Sequence, residues 1–366
     1  MKRVNHFWLF SFIRSASRRI RQIVCCITLF SIAVPNLSLS PLEGTLSSQY
    51  VLERKQCEAP TLHIAVLTMS RADSLRRLTV SLKRAYYGCA QVHLSFYIDM
   101  PPNAQYHDDR TMRLVSSFAW PYGEKYIVLQ PQNVGLAKSW FSVKIGEMDD
   151  YVLILEDDME LSAYFYVFFS NLEVHGLFAD ENITSLCLHP GDWEINIDVN
   201  CKTSTMWNAI YETPEPCNWA PIWRARSWRA YMRWIDEMKT HNRRPYVPHE
   251  IAYNYNIYLD KLYDVQSPWV WRYNWENGQR SIRYSFSKCD SLLREQYLAV
   301  NHKESGLHFP SKKRSFFAQK RKLVSNKSVL ERMNAIMFKE ADEYGRSIRP
   351  YSFKNYKHVS ELLPQP

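Results

Sequence analysis

The sequence predicts an α/β fold, a mixed and mostly parallel sheet flanked by helices in one main domain. Three observations carry that expectation. Between residues 62 and 175, short apolar runs alternate with helical patterns, as in chains that build parallel strands with helical crossovers. The run Val152–Leu155 is apolar at every position, which is the signature of a strand covered on both faces. Two of the strand-like runs end in acids, Asp99 and Glu156-Asp-Asp158, and open α/β sheets take ligands beyond the carboxyl ends of their strands.

The elements follow in order. Residues 43–60 read as a short stem. A strand from Ile64 to Thr68 leads through Ser70-Arg71 into a helix with apolar positions Leu75, Leu78, Val80 and Leu82, with Asp73 or Ser74 as the expected cap. Val92–Asp99 and Tyr126–Gln130 read as the next strands, and Asn133-Val-Gly-Leu-Ala-Lys138 opens a helix expected to reach Met148. The acidic strand comes next, then a helix over 163–174. Past Ile183–Leu188 the pattern loosens into Trp- and Asn-rich loops, with helices expected at Ser227–Met238, Glu250–Tyr263 and Val329–Tyr344. With 10 Gly and no Gly-rich phosphate loop, a Rossmann or P-loop cradle is not expected.

The acids after Leu155 are the most informative feature. Strand periodicity turns Glu156 and Asp158 to one side and Asp157 to the other. Hard carboxylate oxygens at a strand tip suit Mn²⁺ or Mg²⁺, and such a cation bridges protein to phosphate. A solvated acidic loop is the plain alternative.

Charge and composition remove one function class. The chain has 366 residues, 46% hydrophobic, and a net charge of +9. Six bases and no acid lie in residues 1–22, and a second basic run spans Lys312–Lys322. The body between them is close to neutral, without a zinc-finger spacing or RNP motif, so nucleic acid is not an expected partner. The 12 Trp and 23 Tyr serve mostly as packing.

The basic leader precedes an apolar run, Ile23–Val34, of 12 residues, extended by polar positions to Leu42. An uncleaved signal anchor, a cleaved signal peptide and an organelle transit peptide all fit. Positive charge ahead of the run predicts a cytoplasmic N-terminus and a lumenal body. Two features favour the secretory route: sequons at Asn36, Asn182 and Asn326, and six cysteines beyond the leader (Cys57, Cys89, Cys187, Cys201, Cys217, Cys289) without CxxC spacing. Cys187–Cys201 or Cys201–Cys217 would staple the loops after the acidic strand. The preferred expectation is a type II, signal-anchored protein of the Golgi or endoplasmic reticulum.

Taken in this order, the pieces resemble a GT-A glycosyltransferase, most nearly the N-acetylglucosaminyltransferase I type, with family 2 glycosyltransferases behind it. Ser70-Arg-Ala-Asp-Ser-Leu-Arg-Arg-Leu78 is similar to the Arg-containing first loop and helix that receive the nucleotide. Tyr97-Ile-Asp99 resembles the strand end whose Asp holds uracil or ribose. Glu156-Asp-Asp-Met-Glu160 and the aromatic helix after it resemble the family's metal motif. The resemblance covers residues 62–175 well and the acceptor half poorly.

It implies a catalytic domain over 61–310, between a leader (1–22), anchor (23–42) and stem (43–60), and a basic tail (311–366). It implies Asp158 on Mn²⁺ (or Mg²⁺), Glu156 and Asp157 on ribose or metal-bound water, and Thr68, Arg71 and Asp99 around the nucleotide. Lys138 is placed near a phosphate or the donor sugar. The implied donor is a UDP-linked nucleotide sugar and the acceptor a glycan or glycoprotein hydroxyl, with inversion. Glu250 is the first choice for general base, ahead of Asp236 and Glu237, although the family's Asp-Asp-Trp pattern is missing here. His308, after Ser305-Gly306, is a further candidate metal ligand, preferred to His302. A sugar nucleotidyltransferase and a degenerate, glycan-binding or scaffolding domain are the rival readings.

Overall fold

A computed structural model describes residues 59–174, 176, 178–189, 209–213, 215–246, 265–285, 296–302 and 322–333. All belong to one compact unit, Gln56–Pro366. The expected anchor, the helix at Glu250–Tyr263 and the loop carrying His308 lie outside the described residues. No helix among the described residues is long and apolar enough to cross a membrane.

The expected mixed, mostly parallel sheet is present. Strands β1 (Leu62–Thr68), β2 (Val92–Ile98), β3 (Lys125–Leu129) and β4 (Tyr151–Glu156) are joined by helices α1 (Ala72–Arg84), α2 (Asp109–Ser117) and α3 (Leu136–Phe141). After β4 come β5 (Met159–Leu161), α4 (Phe165–Val174), β6 (Ile183–Cys187), β7 (Ala209–Thr213), β8 (Pro221–Arg224), α5 (Ala225–Thr240), α6 (Ser267–Asn277) and β9 (Arg280–Ser285). Eight strands form one sheet in the order β3-β2-β1-β4-β8-β6-β9-β7. The pairs β1/β2, β2/β3, β1/β4 and β6/β9 are parallel, while β8 is antiparallel to both β4 and β6.

Alternation along the central strands sorts their side chains into two cores. Ile64, Val66, Leu153 and Leu155 join the layer of Leu75, Leu78 and Leu82 from α1 and Phe165, Phe168 and Phe169 from α4. The intervening Ala65, Leu67, Val152 and Ile154 join Trp223 of β8, Trp228, Tyr231 and Ile235 of α5, and Val270 and Tyr273 of α6. A wholly apolar run is thus a strand with helices on both sides. Each fully buried Phe of α4 contributes roughly 2–3 kcal/mol.

Some local expectations are corrected. Helix α1 starts after Arg71 with no side-chain cap; Asp73 instead accepts from Arg110 of α2 at 2.8 Å. Helix α3 stops at Phe141 rather than Met148. Side chains of α5 take the carbonyls a longer helix would need: Trp228 Nε1 donates to Val143 O at 3.2 Å, and Arg229 donates to Glu147 O at 3.3 Å. Tertiary hydrogen bonds have replaced helical ones. Helix α2 was not expected, though Asp108 caps it by accepting from Thr111 N at 2.8 Å, a signal visible in the sequence.

The chain beyond 310 is not wholly a separate tail. Two short strands, β10 (Gln296–Tyr297) and β11 (Ala299–Asn301), pair with β12 (Lys322–Leu323) and β5 respectively. Val324, Val329, Leu330 and Met333 are buried in the α1/α4 core, and Ser162 Oγ donates to Val324 O. The disulfide among the described residues is Cys187–Cys217, with Cα atoms 5.5 Å apart. It differs from both pairings expected through Cys201, which lies outside them. The bridge ties the end of β6 to the loop before β8, where Leu188 N donates to Ala220 O at 3.2 Å. Cys89 is also disulfide-bonded.

Gly123 is required for space. A Cβ there would collide with the Val92 carbonyl, whose oxygen already accepts from Trp120 Nε1 at 2.7 Å. Gly123→Ala should lower stability by about 2 kcal/mol in chemical denaturation; an unchanged midpoint would contradict this packing.

Candidate functional site

The strand order locates the site before any side chain is considered. From β1 to β3 the chain adds strands on one side of β1, then crosses back to lay β4 on the other side. The carboxyl ends of β1 and β4 thus mark the reversal in strand order, the place where open α/β sheets take ligands in a crevice. Leu67 is in register with Glu156, so the Ser70-Arg71 turn and the acidic triplet face each other across it.

The side chains converge there. Arg71 pairs with Asp157 and reaches Asp158 Oδ2 at 3.5 Å. Thr68 Oγ1 donates to Asp157 Oδ2 at 2.7 Å, and Asp157 N donates to Leu67 O at 3.1 Å. Asn301 Nδ2 of β11 donates to Asp158 Oδ1 at 3.1 Å. Trp140 Nε1 of α3 donates to Glu156 Oε1 at 3.3 Å. The expected alternation ends with the strand: β4 stops at Glu156, the chain turns, and Asp157 and Asp158 both meet Arg71 while Glu156 faces Trp140. Asp157 and Asp158 are buried and Glu156 is partly exposed.

Asp99 lies at the tip of β2 beside the same crevice, with its amide donating to Thr68 O at 2.9 Å. Its carboxylate accepts from the amides of Met100, Val134 and Gly135 at 2.9–3.0 Å and from Asn133 Nδ2 at 3.2 Å. Both oxygens thus anchor the loop that opens α3. Gly135, with φ +78°, lets that loop turn into the helix. Lys138 is exposed in the first turn of α3.

Asp236 and Glu237 are exposed on α5, whose Ile235 and Met238 face the core; neither carboxylate joins the described network at the strand tips. Glu250 and His308 lie outside the described residues. The late histidine among them is His302, whose Nε2 is 2.8 Å from Glu160 Oε2 and whose amide donates to Asp158 O at 2.8 Å. Sequence reasoning missed Asn301 and Trp140 as partners of the acids.

Burial sets the electrostatics. It pushes Glu156 up from the usual carboxylate range; the charge of Asp158 adds to this and Arg71 opposes it. It pushes Asp157 to about 6 against the favourable charge of Arg71 and the Thr68 hydrogen bond. For Arg71, burial works against the charged form, but the charges of Asp157 and Asp158 outweigh it and the guanidinium is held above its usual value.

Two acids that are hard to ionise together fit a cation, which would favour both charged forms. Among the described residues no three His, Cys, Asp or Glu side chains form a closed metal cage. A cation here fits the mode of Mg²⁺ at phosphate sites, with one or two carboxylates and the rest of its shell from phosphate and water. Asp158 and Glu156 would hold it.

A pH dependence follows. In the unfolded chain Asp157 titrates near 3.8; folded, near 6. Its folded pKa is raised, so its stabilising contribution is fully present below about pH 4 and is lost as pH rises through about 6. Without divalent cations, stability should fall across that window. Added Mn²⁺ should raise the melting temperature more above pH 6 than below pH 4, as read by thermal shift. Equal gains at both ends would remove the cation from this site.

No protein-family model matches the chain, and no curated protein matches it. Solved structures similar to it include residues 1–349 of TarS from S. aureus, at 12% identity and TM-score 0.31, covering 48% of this chain and 49% of that one. Another is the mannosyltransferase PcManGT from Pyrobaculum calidifontis in complex with GDP-Man and Mn²⁺, at 14% identity and TM-score 0.33, covering 49% and 47%. A third is the same TarS segment with UDP-GlcNAc, at 10% identity and TM-score 0.29, covering 48% and 47%. The chain spans about half the length of each. Strand order and register define the architecture.

Proposed function

We propose that this chain is a metal-dependent glycosyltransferase that moves a hexosyl or N-acetylhexosaminyl group from a nucleotide sugar, a UDP-sugar, to a glycan or glycoprotein hydroxyl with inversion. One observation carries the reading: Glu156, Asp157, Asp158 and Arg71 are gathered at the adjacent carboxyl ends of β1 and β4. Breaking a glycosyl–phosphate bond puts negative charge on a diphosphate leaving group, and a divalent cation neutralises that charge. Asp158, with Glu156, is assigned to hold the cation. Arg71 and Thr68 keep Asp157 fixed beside it, so the acids are oriented before the donor arrives. Asp99 shapes the wall of the crevice through the 133–135 loop. The acceptor proton is assigned to Glu250, with Asp236 and Glu237 disfavoured by their exposure on α5.

The same reading puts the body in the lumen of the Golgi or endoplasmic reticulum, behind an anchor at residues 23–42. The Cys187–Cys217 bridge agrees with an oxidising compartment.

The test is turnover of a panel of nucleotide sugars with and without Mn²⁺, with UDP-GlcNAc and GDP-Man among the donors. Mn²⁺-dependent release of nucleoside diphosphate is the expected result. Pyrophosphate release would favour a nucleotidyltransferase, and metal-independent glycan binding without turnover a scaffold. Either outcome would remove the assignment.

A further inference from the structure

We infer that Asn182 carries an N-linked glycan, attached before β6 takes its place in the sheet. Asn182-Ile-Thr184 is a sequon, and the fold divides its three residues sharply. Asn182 is exposed in the turn ahead of β6. Its amide N–H donates to Asp180 Oδ1 at 2.8 Å and its carbonyl accepts from Arg280 N at 2.8 Å, while no described hydrogen bond involves its side chain. Ile183 and Thr184 are fully buried, and Thr184 Oγ1 donates to Arg280 O at 3.0 Å.

That division sets an order of events. Transfer needs the Asn side chain and the hydroxyl two residues on to be presented together. In the folded chain the hydroxyl is sealed under β9, which lies 96 residues later in sequence. While Arg280 has not yet been made, both groups are free. The side-chain nitrogen of Asn182 then attacks the anomeric carbon of a polyprenyl-diphosphate-linked oligosaccharide. A C–N bond forms, the C–O bond to the diphosphate breaks with its electron pair leaving on the lipid diphosphate, and the amide nitrogen gives up one proton. The later closure of β6 against β9 leaves the glycan outside.

The location tolerates a large substituent. β6 is antiparallel to β8, and β8 to β4, so β6 runs the same way as β4. Asn182 therefore lies at the amino edge of the sheet, about 20 Å along the strand direction from the acids. The Cys187–Cys217 bridge begins five residues on from Asn182, and disulfide formation and oligosaccharide transfer share one compartment. Asn326 is exposed too, but its amide oxygen accepts from the amide and hydroxyl of Ser328 in a local turn, and among the described residues no distant strand covers that sequon.

The full chain made in secretory cells should yield an endoglycosidase-sensitive mass shift on the peptide holding Asn182. Asn182→Gln and Thr184→Ala should each abolish that shift. Asn182→Gln should leave nucleotide-sugar turnover unchanged, so this test and that of the acid site fail separately. Folded, unglycosylated chain from bacteria, offered oligosaccharyltransferase and lipid-linked donor, should stay unmodified while the unfolded chain is modified. An unmodified Asn182 peptide from cells, or equal modification of folded and unfolded chain, would overturn the inference.

Discussion

Asp158→Ala should abolish Mn²⁺-dependent binding of UDP, weakening it at least about a thousandfold, while leaving the fold in place. The carboxylate is nine-tenths buried; one oxygen accepts from Asn301 and the other lies 3.5 Å from Arg71. Its charge raises Glu156, so removal relieves repulsion within the acid cluster and should spare stability. Asp158→Asn is the sharper control, because it preserves size and one acceptor while removing the charge a cation needs. Calorimetric titration of UDP with and without Mn²⁺, beside a thermal melt, separates the two effects. Retained metal-dependent affinity in a folded Asp158→Ala protein would move the site elsewhere.

Arg71→Ala is expected to act on stability as well as function. Asp157 is almost wholly buried, and Arg71 is its ion-pair partner. Without Arg71 the Asp157 carboxyl, already raised to about 6, takes up a proton rather than standing charged and unpaired, which limits the cost to about 1–2 kcal/mol at neutral pH. The loss should shrink below pH 4, where Asp157 is protonated in either protein. Arg71→Lys should recover only part, since an ammonium cannot span Asp157 and Asp158 as the guanidinium does. Chemical denaturation at two pH values measures both features. A change below about 0.5 kcal/mol at neutral pH would mean that the acids are held some other way.

Residues 62–175 were legible because their signals are local. β1, β2 and β4 announce themselves as apolar runs that end at polar residues, and the acids at their tips mark the ligand-binding edge. In the second half the helix expected at Ser227–Met238 is present as α5, while most of the remainder was not legible, for physical reasons. Helix α6 buries most of its circumference, with Val270, Trp271, Tyr273 and Asn274 all covered, so it shows no amphipathic period; Pro268 in its first turn was the available sign. β9 is placed by pairing with β6 and β7, and such non-local pairing leaves little local trace in sequence. The site divides likewise. Arg71 and the acids could be read, whereas Asn301 reaches Asp158 only through the β5–β11 register. Trp140 looked like one more apolar position until α3 brought its indole N–H to Glu156.

The pairing of β10 and β11 with β12 and β5 bears on biogenesis. Asn301 completes the acidic tip, and Val324, Leu330 and Met333 seal the layer beneath α1 and α4. A nascent chain lacking residues 322–333 would leave that layer open to water. Partly made chains would then expose the apolar face of α4 and invite chaperone capture until these residues are in place.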